Sequence, residues 1–371
     1  MKATVAPTVN DSVRPRPERL KGITALLFGV GGLVVGIGLG LRWLRAGVVT
    51  WESVAATAAL AMGLVLTPFG LSRVTRGLQW MSRLTVGLLS LLVVAVLVWT
   101  LAPAVIATNI PPSANTPPID LGPGSRQVHF STSDGVRLWG WYVPPPDGRV
   151  AVVRHGSGST ASDVTRQAAV LVDNGYGVLI TDARGHGRSE GEAMDFGWYG
   201  ESDIEAAVDF LVDQHEVDPS RIAVLGLSMG GEEAIGAAGS DDRIAAVVAE
   251  GATARTHADK VWLIEEYGWR GWIQVRLEWL QYGFTDLLTA ASQPPSLATA
   301  AVSADPTPIL MVTAGDVPDE GKAAAHLQET SPDNVTVWTI PGSGHVDGLS
   351  TAPAEWERTV IGFLEGALDD H

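Results

Sequence analysis

The pattern Gly-x-Ser-x-Gly occurs twice in this sequence, as Gly187 to Gly191 (GRSEG) and as Gly226 to Gly230 (GLSMG). With 42 glycines in the chain the pattern recurs easily by chance, so its surroundings decide its meaning. Ser228 follows the apolar run RIAVL and opens MGGEEAIGAA. That is a strand-to-helix turn, which pushes a serine hydroxyl out where it can act as a nucleophile. Ser189 has neither a strand before it nor a helix after it, and reads as a turn residue. A hydroxyl is too weakly acidic to attack unaided, so Ser228 needs a base, and the base needs an acid to hold its tautomer.

The base is expected late in the chain. His345 lies in the loop PGSGHVDG after the last apolar run, whereas His129 falls in a hairpin, His215 at a helix end, His257 in an insertion, His326 within a helix and His371 at the terminus. His155 reads as structural. The acid is expected after the strand Ile309 to Thr313. Asp316 is the first carboxylate there, with Asp319 a rival and Glu250, ending the preceding strand, a second one. Two N–H groups must face the oxyanion of an acyl transfer. The expected donors are the backbone of Met229, directly after the nucleophile, and that of Ser157 in the loop His155-Gly156-Ser157-Gly158.

These residues need a scaffold that brings distant loops together. Val128 to Thr132 and Val136 to Val143 read as a hairpin turning at Asp134-Gly135. Strands at Arg149 to Arg154, Gly177 to Thr181, Arg221 to Leu225, Ile244 to Ala249, Ile309 to Thr313 and Val335 to Ile340 follow. Between the earlier of them lie helices at Ser162 to Asn174, Glu201 to Gln214 and Met229 to Ala238. That alternation predicts an α/β fold with a mostly parallel sheet covered by helices, and active residues on loops at the carboxyl ends of the strands.

Arg154 to Gly158 (RHGSG), Asp182 to Ser189 (DARGHGRS), Asp218 to Gly231 (DPSRIAVLGLSMGG), Ile309 to Asp316 and Gly342 to His345 together resemble the α/β-hydrolase superfamily over about 125–367. Within it the chain is similar to the membrane-anchored Bem46-like branch and the prolyl-oligopeptidase-like hydrolases. The resemblance implies a Ser228, Asp316, His345 triad, an oxyanion hole at Ser157 and Met229, and a structural role for His186. Many relatives place two residues between the glycine and the aspartate, but Gly315 and Asp316 are adjacent here, which keeps Asp319 in contention.

The 371 residues include no cysteine, excluding disulfides, thiolate metal sites and a cysteine nucleophile. The formal charge of −16 argues against nucleic acid as a partner. That average hides a split: residues 1–108 carry ten basic and three acidic side chains, and 109–371 carry 15 basic and 38 acidic ones. In the first part, 22–41 and 84–106 are uncharged and long enough to cross a bilayer, and 54–71 is a weaker, Ala-diluted candidate. The three form a predicted transmembrane bundle over 22–108, after a basic cytoplasmic N-terminus at 1–21. Gly32, Gly36 and Gly40 make one helix face flat, suited to packing within that bundle.

Lys2, Arg14, Arg16, Arg19 and Lys21 precede the first span, Arg42 and Arg45 follow it, and Arg73, Arg76 and Arg83 fill the next loop. With three spans, the positive-inside rule puts the C-terminal part outside the cytoplasm; with two, it returns inside. Residues 109–124, with five prolines, read as a semi-rigid stalk to a domain at 125–371. Within it, 253–306 separates two strands by far more than a crossover needs, and carries Trp262, Trp269, Trp272, Trp279, Tyr267, Tyr282 and Phe284. It reads as a helical lid, with the individual rings expected to pack it onto the domain. The expected activity is ester-type hydrolysis of an acyl substrate at a cell membrane, with no cofactor and no metal. Amide cleavage by the same triad, or a silent binding module, are the alternatives.

Overall fold

The computed structural model describes residues 17–111, 119–122 and 124–369 and divides into two compact units, 1–105 and 106–371. The basic residues Lys2, Arg14 and Arg16 and most of the Pro-rich stalk lie outside the described residues.

In the first unit three helices are long and apolar enough to cross a membrane: α1 (Glu18–Arg45), α2 (Trp51–Val74) and α3 (Trp80–Thr108), the last ending just past the division. Each extends a few residues beyond the uncharged run in the sequence, because Arg, Trp and Thr tolerate helix ends. The Ala-diluted middle segment is fully helical. Thr50 and Ser53 cap its start reciprocally, satisfying N–H groups that a helix leaves open. The flat glycine face packs inside the bundle. A Cβ on Gly32 would lie 2.4 Å from the Ala59 carbonyl oxygen, and one on Gly36 would lie 2.3 Å from the Leu60 Cβ. Only glycine allows α1 and α2 to approach so closely. Glu18, at the start of α1, pairs with Lys21 and with Arg73 near the end of α2.

The second unit holds an eight-stranded sheet in the order β1-β2-β4-β3-β5-β6-β7-β8. The strands are β1 (Arg126–Ser131), β2 (Arg137–Val143), β3 (Val150–Arg154), β4 (Gly177–Thr181), β5 (Ile222–Leu227), β6 (Ile244–Glu250), β7 (Ile309–Ala314) and β8 (Val335–Ile340). β2 pairs antiparallel with β1 and β4, and the other pairings are parallel. The hairpin turns at Gly135, whose φ is +84°.

The helices are α4 (Thr165–Asp173), α5 (Gly200–Val212), α6 (Met229–Ala238), α7 (Trp262–Tyr267), α8 (Trp269–Leu288), α9 (Leu297–Ala304), α10 (Pro318–Thr330), α11 (Gly348–Thr351) and α12 (Pro353–Asp369). Alternate residues of each central strand face opposite sides, so the sheet feeds two cores. Val152, Val224 and Met311 meet α5, α6, α9 and α10 on one side. Val153, Leu225 and Val312 meet α4 and α12, with the buried Trp356, on the other. Ile119 and Leu121 join this second core, so the end of the expected stalk belongs to the domain. Between β3 and β5 successive crossovers leave in opposite directions, opening the crevice where doubly wound sheets place their sites.

Candidate active site

Ser228 sits between β5 and α6 with φ +53° and ψ −119°, a left-handed conformation that side-chain-bearing residues rarely adopt. It is pinned there. Its N–H donates to the Glu250 carbonyl (2.7 Å), while its own carbonyl accepts from Gly231 (2.9 Å) and Glu232 (3.1 Å). The turn requires glycine beside it: a Cβ on Gly230 would lie 2.7 Å from the His155 carbonyl oxygen.

His345 Nε2 lies 3.0 Å from Ser228 Oγ, and its Nδ1 lies 2.6 Å from Glu320 Oε1. The acid in contact with the imidazole is therefore Glu320, and the expectation of Asp316 is corrected. Asp316 is exposed, and its N–H is tied to the Ser343 carbonyl (3.0 Å). The rival Asp319 is also exposed and accepts from the lid Tyr267 hydroxyl (2.9 Å). Glu250 is buried against Gly348 N–H (2.8 Å) and Trp356 Nε1 (2.9 Å).

The reason lies in helix periodicity. α10 begins at Pro318, and its buried stripe is Glu320, Ala323, Ala324 and Leu327, the three- and four-residue spacing of one helix face. That stripe carries Glu320 inward and leaves Asp319, one residue earlier, outside it, while Asp316 precedes the helix in the turn tied to Ser343. Glu320 is 2% exposed, and its second oxygen accepts from Ala314 N–H (2.9 Å), so the carboxylate is fixed from both sides. The PDEGKAAAHL pattern carries that signal in the spacing of Glu320 from its alanines and leucine, whereas distance from the strand alone points to Asp316. The hydrogen bond to Glu320 raises the His345 pKa above its ordinary 6.5, outweighing the opposing effect of partial burial.

The loop after β3 flanks Ser228. A Cβ on Gly156 would sit 3.3 Å from the Ser228 Cβ. Two buried histidines clamp this loop. His155 Nε2 accepts from Ala183 N–H (3.0 Å), leaving Nδ1–H to donate to the Gly156 carbonyl (2.8 Å). His186 Nε2 accepts from Gly158 N–H (3.2 Å), and its Nδ1–H donates to the Arg184 carbonyl (3.0 Å). Burial lowers both pKa values, which keeps the rings neutral and able to accept. Neither ring contacts Ser228 among the described hydrogen bonds. The Ser157 hydroxyl donates to Asp195, and Met229 starts α6, whose first N–H groups have no partner within the helix.

Behind the loop lies a buried charge network. Arg154, at the end of β3, donates to Glu233 Oε2 (2.9 and 2.6 Å) and Thr181 Oγ1 (2.9 Å). Arg184 bonds Asp203 through its side chain (2.8 Å) and its backbone N–H (3.0 Å). Burial pushes Glu233 up to about 7, with Arg154 opposing it. An arginine ending an otherwise apolar Val/Ala strand, and a Glu-Glu pair in a Gly/Ala-rich helix, are the sequence signals for this network.

Ser189, the second serine of the repeated pattern, has its hydroxyl fully engaged. It donates to the Asp182 carbonyl (2.6 Å) and accepts from Trp139 N–H (2.9 Å). The lid comprises a short 3-10 turn (His257–Lys260), α7, α8 and α9. Trp262 packs inward with Leu263, Val275 and Ala323, and Tyr282 packs with Met194 and Trp198. Trp269, Trp272 and Trp279 do not: they point outward.

The sheet order, the lid between β6 and β7, and the serine turn after β5 define an α/β hydrolase. The family model of the serine aminopeptidases (S33) matches residues 144–339, more than half of the chain, and the chain belongs to that family of hydrolases. The Pyrococcus furiosus esterase Pf2001 superposes with a TM-score of 0.56 and 25% identity, covering 71% of this chain and 98% of its own. The α/β hydrolase GrgF of a Penicillium species shares the fold (TM-score 0.51, 20% identity, 66% of this chain and 99% of its own). Among curated proteins, Mycobacterium tuberculosis Rv2307c is 37% identical over 119 residues, 31% of this chain and 42% of that protein. The thiohydrolase AneE of Aspergillus aculeatus is 37% identical over 130 residues, 33% of this chain and 40% of that protein. These alignments span about two-fifths of the curated relatives.

Proposed function

We propose that the chain is a membrane-anchored serine hydrolase that cleaves ester-type acyl substrates through Ser228, His345 and Glu320. The observation that carries this reading is the unbroken Ser228–His345–Glu320 hydrogen-bond relay on a serine held at positive φ. His345 Nε2 takes the Ser228 proton as Oγ attacks the carbonyl, Glu320 holds the Nδ1–H tautomer and stabilises the imidazolium, and Nε2–H protonates the leaving oxygen. Water, activated by the same imidazole, then releases the acyl group and regenerates the serine. The Met229 and Ser157 N–H groups are the proposed oxyanion donors: the first lies at a helix N-terminus, the second in the clamped loop beside Ser228.

Anchoring rests on the three apolar helices. With all three inserted, the basic residues flanking α1 at its start and α2 at its end are cytoplasmic and the hydrolase domain is extracytoplasmic. The Glu18–Arg73 pair supports a common side for those two ends. A reporter active only in the cytoplasm, fused at the C-terminus, must stay silent; its activity would reverse the topology.

Labelling of the full chain in membranes with a fluorophosphonate probe tests the chemistry. The label must be lost in Ser228→Ala and kept in Ser189→Ala; absence of labelling in the folded wild type would leave a silent module. The name of the matched family favours a second reading, cleavage of an aminoacyl amide. A panel of acyl esters, thioesters and aminoacyl amides separates the two readings by kcat/KM.

A further inference from the structure

The lid helix α8 turns several of its largest apolar side chains outward. Its buried stripe is Gly271, Val275, Glu278, Tyr282 and Thr285, with two of the five polar or charged. Its outward residues include Trp269 (71% exposed), Trp272 (50%), Trp279 (54%) and Leu287 (79%), together with Ile273. At 100° per residue, Trp269, Trp272, Ile273, Arg276, Trp279 and Leu287 fall within about 120° of arc, centred about 140° from the buried stripe, and run about 27 Å along the helix axis. Single exposed apolar side chains are ordinary, but a continuous stripe with three tryptophans marks a surface that something covers.

From this face we infer that α8 docks on the lipid bilayer surface and is an interfacial element of the hydrolase domain. This rests on the membrane-anchored reading above. Three observations select lipid as the occupant. Tryptophan is the side chain that concentrates at the headgroup boundary, with an apolar ring and a polar N–H. On a domain with 15 basic and 38 acidic residues, this arc carries no carboxylate, Asp286 lying just outside its edge beside Leu287, and the charges stacked on its rings are Arg276 over Trp272 and Arg270 over Trp269. Finally, the chain between Thr108, which ends the last apolar helix, and Ile119, packed in the domain core, spans at most about 40 Å. A membrane anchor therefore keeps the domain beside a bilayer permanently, and α8 needs no further partner to be covered.

The position of α8 gives docking a consequence. It follows α7, whose Tyr267 hydroxyl bonds Asp319 on α10 (2.9 Å), one residue before Glu320. A bilayer that holds α8 thus steadies the lid against the helix that orients His345, and favours substrates presented from lipid.

The absence of cysteine allows a direct test with the full chain in nanodiscs of phosphatidylcholine and phosphatidylglycerol. Single cysteines replace Trp272, Leu91 on α3, or Glu329 on the opposite end of α10, and each carries an environment-sensitive fluorophore. Doxyl-lipid quenching is expected at 272 and 91 and not at 329. Quenching at 91 but not at 272, with 272 open to aqueous iodide, overturns the docking alone. Shielding of 272 from both quenchers identifies a protein contact and also overturns it. No lipid quenching at 91 overturns the membrane reading and the docking together. In a parallel experiment, Trp272→Glu with Trp279→Glu is expected to lower hydrolysis of a vesicle-presented ester by about tenfold, while fluorophosphonate labelling of Ser228 and turnover of a short soluble ester stay within about twofold. Equal loss on both esters would overturn the inference.

Discussion

Ser189 and Ser228 occupy the centre of the same five-residue pattern, and the molecule treats them in opposite ways. Ser189 Oγ both donates and accepts within the fold, closing the loop after β4 against β2. Ser228 has its backbone pinned by Glu250 and its hydroxyl aimed at His345. The difference teaches that the glycines only permit a tight turn. A nucleophile arises where a parallel strand ends, a helix begins, and the intervening residue is forced to positive φ, so that its hydroxyl has no partner within its own turn.

Four experiments break or sharpen that contrast. The largest effect is expected from Ser228→Ala, which should remove fluorophosphonate labelling and lower kcat by about a million-fold, the scale of nucleophile loss in serine hydrolases. Turnover that survives this change and fails in Ser189→Ala would invert the assignment. Next, Glu320→Gln should lower kcat/KM by about a hundred- to ten-thousand-fold by leaving His345 in the wrong tautomer, whereas Asp316→Asn and Asp319→Asn should stay within about threefold. A large loss in Asp316→Asn would restore the acid expected from the sequence.

A smaller effect concerns pH. The Glu320 hydrogen bond favours imidazolium, so His345 becomes a competent neutral base only as pH rises through a pKa above 6.5. The acid limb of kcat/KM should therefore lie above 6.5 and move to lower pH in Glu320→Gln; a limb unmoved by the substitution would detach Glu320 from the base. The same shift has a stability sign: the contribution of the His345–Glu320 pair is fully present below 6.5 and is lost as pH rises through the raised value. The smallest effect on activity is expected from Ser189→Ala, within about twofold in kcat/KM. It should nonetheless destabilise the domain by about 1 to 3 kcal/mol, because Trp139 N–H and the Asp182 carbonyl lose a partner; denaturant unfolding measures this.

Much of this was legible in the sequence for local reasons. Strand alternation, the Asp-Gly turn, the uncharged runs and the strand-Ser-helix context depend on near neighbours, and each has its counterpart in the structure with ends shifted by a few residues. Ile119 and Leu121 join the domain core, so the domain begins earlier than the proline stretch suggests. The role of the glycine stripe in α1 was legible too, since small residues at four-residue spacing have one physical use in a helix pair.

The carboxylate that meets His345 and the lid surface were decided only by tertiary packing. Which of Asp316, Asp319 and Glu320 meets His345 depends on where α10 begins, which leaves Asp316 in the preceding turn, and on the phase at which it enters the core, since a shift of one residue rotates a helical side chain by about 100°. Chain order therefore brings all three carboxylates near the site, and packing of Ala323, Ala324 and Leu327 selects one. The lid tryptophans follow the same logic in reverse. Their hydrophobicity alone predicts burial, but the narrow stripe of α8 that fits the domain is filled by Gly271, Val275, Glu278, Tyr282 and Thr285, so Trp269, Trp272 and Trp279 face outward. Composition determined that the apolar side chains exist; only the three-dimensional fit determined which of them the protein itself could cover.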